Sequence, residues 1–144
     1  MPTTLEMFRQ LLHANGQSRS ARTVELFGWL ILIESPLILL KPHWAASLIH
    51  LAPLDAQATN YFSLVGLLIG GLGMLYVASG RLNLAGFVFA SLLDRPLVPF
   101  IMAALWWRGV IPGPLAAAFA LQDGLSFLWT LLNWRAEQRV ASTA

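Results

Sequence analysis

The chain has 144 residues, of which 57% are hydrophobic and 11% charged, and a mean hydropathy of +0.65. That balance excludes an ordinary water-soluble domain and fits an integral membrane protein. Cysteine is absent, which removes disulfides, thiolate metal sites and redox dithiols. The formal net charge is only +2, with the basic residues at the ends of apolar runs, so no nucleic-acid partner is expected.

Residues 3–14 read as a short amphipathic helix lying at the bilayer interface. Thr3 and Glu6 have capping-box spacing, Leu5, Phe8, Leu11 and Leu12 share one face, and Asn15-Gly16 supplies a stop. The apolar run is too interrupted for a secretory signal, so the segment is expected to stay on the protein. A first span covers about 24–40, bounded by Arg22 and Lys41. The connection 41–58 carries Trp44, Leu48 and Leu51 at helical spacing, and predicts a short helix resting in the headgroups. The second span covers about 59–79. The third, 82–107, is the longest and closes on the belt Trp106-Trp107-Arg108. The fourth covers 111–134, with Pro112 and Pro114 in its opening turn and Trp134-Arg135 at its close.

These elements predict an all-α fold, an integral membrane four-helix bundle with a short N-terminal interfacial amphipathic helix, in a single membrane domain 1–144. Arg9, Arg19, Arg22, Arg81, Arg135 and Arg139 fall on one side, and Lys41 and Arg108 on the other. The asymmetry predicts a multi-pass protein of the cell inner (cytoplasmic) membrane with both termini cytoplasmic.

Glu34, Asp94 and Asp123 lie inside the spans together with Arg95. An ionised group at mid-bilayer is unfavourable by roughly 2.5–3.5 kcal/mol on the insertion scale, so such groups pair, line a wet cavity or do chemistry. Helical rise puts Asp94 and Asp123 at one depth, ~19 Å and ~18 Å from the outer ends of their spans, and Glu34 nearer the outside at ~9 Å. With three carboxylates facing one guanidinium, at least one proton is expected in the cluster, with Glu34 as its holder. Arg95 is expected to pair with the aspartates. Glu34, Asp94 and Asp123 are the catalytic candidates. Arg95, Gln122, Ser91 and Ser126 are the ligand-binding candidates, because Gln122, Ser126 and Asn133, with Asp123, Ser126 and Thr130, make a polar stripe and Ser91 shares a side of its helix with Asp94 and Arg95. The plainer role for the Arg–Asp pair is to lock two helices together.

Other motifs carry less chemistry. Gly66, Gly70 and Gly73 form a small-residue face for close helix packing, and the GGLG segment lacks the strand and Lys-Ser/Thr of a phosphate loop. His43 and His50 are too far apart for a metal signature, so neither a metal nor a cofactor is expected. Glu34-Ser35-Pro36 and Asp94-Arg95-Pro96 share an acid-x-Pro pattern. The segment Asp94-Arg95-Pro96-Leu97-Val98-Pro99-Phe100 slightly resembles small four-helix sterol-isomerase-type membrane proteins, on these residues alone. The resemblance implies proton transfer on a sterol-like substrate.

Three functions fit these residues. The first is binding of a lipophilic or cationic small molecule at the buried carboxylate/Arg cluster, with isomerase- or cyclase-like acid-base chemistry open. The second is an accessory subunit organising a larger complex. The third is a proton-coupled small transporter. The partners expected are accordingly the lipid bilayer, a lipophilic small molecule, and a membrane-protein partner or a second copy of the chain.

Overall fold

The computed structural model describes residues 3–143 and is all-α. Its elements are α1 (Thr4–His13), α2 (Arg19–Leu40), α3 (Pro42–Leu48), α4 (Ala56–Arg81), α5 (Ala85–Asp94), α6 (Leu97–Trp107) and α7 (Gly113–Thr143). Helix α2, helix α4, α5 and α6 taken together, and α7 give four helical segments long and apolar enough to cross a membrane. The architecture is that of a membrane-spanning helical bundle.

Local chemistry sets several of the ends. In α1 the Thr3 hydroxyl accepts from the Glu6 N–H while the Glu6 carboxylate accepts from the Thr3 N–H, so the capping box is complete. The stop falls at Ala14, which adopts a left-handed conformation and returns its N–H to the Gln10 carbonyl, one residue ahead of Asn15-Gly16. Ser18 and Asp55 cap α2 and α4 through their side chains, which starts both helices earlier than hydropathy alone predicts. Helix α7 runs well past Trp134. Ala136, Glu137, Gln138 and Arg139 are good helix formers, and no breaker intervenes.

The expected single helix over 82–107 is two helices. Residues 82–84 form a turn, with Asn83 at positive φ, and Arg95-Pro96 interrupts the rest. Pro96 lacks an N–H and its ring excludes a straight α-helix. The Arg95 carbonyl, which Pro99 has no N–H to serve, accepts a tighter-turn bond from the Val98 N–H at 3.2 Å.

Helices α2 and α4 form the closest pair. A Cβ on Gly73 would stand 2.9 Å from the Leu32 backbone nitrogen and 3.0 Å from the Gly28 carbonyl oxygen, so the two backbones touch where side chains usually intervene. Gly66 and Gly70 fit against Ile38 and Ser35 in the same seam. Helix α7 packs on the other flank of α2, and α6 packs on α7, while α4 and α7 do not meet. The order α4, α2, α7, α6 therefore leaves an opening over α2 between α4 and α7. Helix α5 packs against α2, α4 and α7 at the other end and makes the bundle compact there. That end, which gathers Gln17, Glu25, Gly80, Arg81 and Glu137, is the basal end; α3 covers the opposite one.

The buried apolar core is small and basal: Ala21, Val24, Phe27, Ile31, Tyr76 and Val88. Tyr76 meets Phe27 and Phe87 edge-on, with centroids 5.3 and 5.0 Å away. Most large aliphatic side chains face outward, as expected of helices whose solvent is lipid.

Candidate functional site

The structure distributes the seven expected site residues over two settings, and a third setting holds none of them. In the first, an apolar cavity of about 450 Å³ lies in the opening between α4 and α7, above α2 and beneath α3. Leu37 and Ile38 of α2, Trp44 and Leu48 of α3, Phe62 and Ile69 of α4 and Phe119 of α7 are among its walls, and Glu34 and Gln122 supply the polar groups. Glu34 is the ionisable residue in that lining. Its carboxylate accepts from the Gln122 amide at 3.3 Å, a long contact that leaves acceptor capacity unused. Pro36, two residues on, lies inside α2 without ending the helix.

The second setting is the break between α5 and α6. Asp94, the last residue of α5, is exposed on the bundle surface, whereas Arg95 beside it is completely buried. Asp123 is half-buried one position beyond Gln122, within electrostatic reach of Arg95, Asp94 and Glu34. The expected ion pair between Arg95 and the aspartates is absent. The Arg95 side chain runs toward the basal end and donates from Nη1 to the Thr130 hydroxyl at 3.1 Å, about two helical turns beyond Asp123. Its guanidinium carbon lies 4.1 Å from the Phe27 ring centroid and 5.0 Å from that of Tyr76. Desolvated cation–π contacts are worth about 2 kcal/mol, which accounts for the direction Arg95 takes. Nε and Nη2 remain buried with no hydrogen-bond partner. The two expected serines are turned to the backbone: Ser91 donates to the Val88 carbonyl and Ser126 to the Asp123 carbonyl.

The third setting is a basal charge cluster that hydropathy did not flag. The Glu25 carboxylate accepts from Arg81 Nε at 2.8 Å, Gln17 at 2.9 Å and the Trp29 indole at 3.2 Å. The same Arg81 donates from Nη1 to the Leu11 carbonyl at 2.6 Å and so moors α1 to the bundle. Alongside it, Glu137 of α7 accepts from both the backbone N–H and the hydroxyl of Ser20, and Thr23 meets Thr130 at 2.8 Å. These contacts lock α7 to the start of α2. One signal was available in the sequence: Glu25 stands four residues before Trp29, on the helical face that an indole donor can reach.

No protein-family model, curated protein or solved structure matches the chain. The site therefore has to be read from its own chemistry. A carboxylate with spare acceptor capacity in an apolar cavity can hold a cation or a hydrogen-bond donor and can exchange a proton with it. A carboxylate enclosed by three donors, as Glu25 is, has little capacity left for a ligand.

Proposed function

We propose that this single-domain, multi-pass membrane protein binds a lipophilic small molecule in the cavity between α4 and α7, with the apolar body against Ile38, Phe62, Ile69 and Phe119 and a cationic or hydrogen-bond-donating group on Glu34. The observation that carries the reading is the pairing of an under-satisfied carboxylate with an otherwise apolar cavity of about 450 Å³, a size in the range of small-molecule sites. In this reading Glu34 holds and exchanges the proton, and Gln122 orients its carboxylate. Asp123 acts on Glu34 through its field, as a positioning residue, with Arg95 and Asp94 acting in turn on Asp123, and Ser91 and Ser126 support the backbone beside them. Proton transfer of an isomerase or cyclase type is the chemistry such a site would run. The excess of basic residues at the basal end supports cytoplasmic termini in an inner membrane, with α1 lying in the interface.

Mass spectrometry of small molecules that co-purify with the wild type, Glu34→Gln and Gln122→Leu tests this. The wild type is expected to carry a defined lipophilic species. Glu34→Gln should lower its occupancy by roughly 10- to 100-fold, the worth of a charge-assisted hydrogen bond, and Gln122→Leu by less. Equal lipid content in all three proteins would remove the reading. A stoichiometric protein partner with no small molecule would replace it with an accessory-subunit role.

A further inference from the structure

A second site lies away from the Glu34 cavity, at the basal end of the seam between α2 and α7. Arg19, Arg22, Thr23 and Leu26 of α2 and Trp129 and Asn133 of α7 enclose a cleft of about 290 Å³. No carboxylate lines it, and among the described residues neither arginine has an ion-pair or side-chain hydrogen-bond partner. The two acids of this end that could neutralise them are committed: Glu25 to Arg81, Gln17 and Trp29, and Glu137 to Ser20. Two guanidiniums thus face a cleft whose lining holds no carboxylate.

The cleft also continues into an apolar track. Arg19, Arg22, Leu26, Leu30 and Ile33 succeed one another at three- and four-residue steps on one face of α2, and Leu121, Leu125 and Trp129 do so on α7. All these apolar members are exposed. Each stripe is aliphatic toward mid-bilayer, and both end at the basic cleft. A free anion would use only the arginines, whereas an amphiphile would use both parts.

We propose that this seam is a binding site for an anionic glycerophospholipid, with its phosphate on Arg19 and Arg22, its glycerol region beside Trp129 and Asn133, and one acyl chain along the Leu26–Ile33 and Leu121–Leu125 stripes. Basic clefts between membrane helices hold acidic headgroups in this way, and guanidinium forks suit phosphate oxygens. The site is independent of the Glu34 cavity and would stand if that reading failed.

Native mass spectrometry of the full chain in mild detergent, titrated with phosphatidylglycerol or with phosphatidylcholine of the same acyl chains, tests the proposal. The wild type should retain phosphatidylglycerol preferentially. Each of Arg19→Gln and Arg22→Gln should weaken that preference roughly fivefold, and the double variant should approach the phosphatidylcholine level. Arg135→Gln, at the same end but outside the cleft, should keep it. A double variant with undiminished preference, or an equal loss in Arg135→Gln, overturns the proposal. Displacement by millimolar inorganic phosphate overturns the lipid in favour of a free anion. A photo-crosslinking phosphatidylglycerol on the wild-type chain avoids any folding defect: adducts within 19–33 and 121–133 support the site, and adducts confined to other segments refute it.

Discussion

Glu25 and Glu34 stand nine residues apart on the same helix, yet the first accepts from Arg81, Gln17 and Trp29 while the second accepts a single 3.3 Å contact from Gln122. Around Glu25 the bundle is closed by α5, by the α2–α4 seam and by the moored α1. Around Glu34 the neighbouring helices part and leave a cavity. An intramembrane acid is therefore a poor guide to function until its donors are counted. The basal acid is consumed by structure, whereas the cavity acid has capacity left for something that arrives.

The contrast is broken most severely by closing off the seam on which both regions depend. Gly73→Leu would drive a side chain into the Leu32 and Gly28 backbones, which cannot rotate away as a flexible side chain could. A loss of about 3 kcal/mol or more is expected, at the upper end of overpacking effects, read as a lower melting temperature in detergent and poor recovery. Gly71→Leu on the same helix meets open space and should melt like the wild type.

The next largest effect separates the half-buried Arg81 from the fully buried Arg95. Arg81→Leu leaves Glu25 without its cation and releases the Leu11 carbonyl, so a loss of about 2–3 kcal/mol is expected, between the limits for exposed and fully buried pairs. Arg95→Met should behave differently. Arg95 is fully buried with two nitrogens unsatisfied, and an apolar replacement of similar length removes that penalty along with one hydrogen bond and the ring contacts. Stability within about 1 kcal/mol of the wild type is expected. A collapse of Arg95→Met to the level of Arg81→Leu would mean that unseen partners satisfy its guanidinium.

How much of this was legible in the sequence differs between the two regions for physical reasons. Four apolar segments, the Thr3–Glu6 box and the glycine face are written in local spacing, which helix geometry converts directly into structure. Glu34 was singled out as a charge within an apolar run and Gln122 by its helical spacing to Ser126 and Asn133, and they share the cavity although 88 residues separate them. The Glu25–Arg81 pair joins residues 56 apart, each at the edge of a hydropathy window where a charge excites no notice. Arg95 was expected to pair with the aspartates beside it, but helical rise gives no side-chain direction. Phe27, Tyr76 and Thr130 drew it away from the aspartates, and that choice exists only once three helices are assembled.

The smallest effect sharpens the comparison at the mooring of α1, where a local cap and a tertiary contact act on one short helix. The Thr3 backbone N–H donates to the Glu6 carboxylate at 2.6 Å, and this bond, with the Thr3 hydroxyl, holds the Glu6 carboxyl below its ordinary value of 4.5. A group whose folded value is depressed contributes stability that is present above its unfolded value and fades as pH falls through the folded one. Helix α1 should therefore keep its cap at pH 6 and begin to fray below about pH 4.5, with amide exchange in residues 4–8 rising while α2 and α4 stay protected. Glu6→Gln should flatten that pH dependence, because it removes the titrating group. The Arg81–Leu11 bond lies at the other end of α1 and should preserve docking of residues 10–13 through the same titration. If acid released the whole helix at once, the cap and the mooring would form one cooperative unit, and the basal cluster would reach further toward the N-terminus than Glu25 and Arg81.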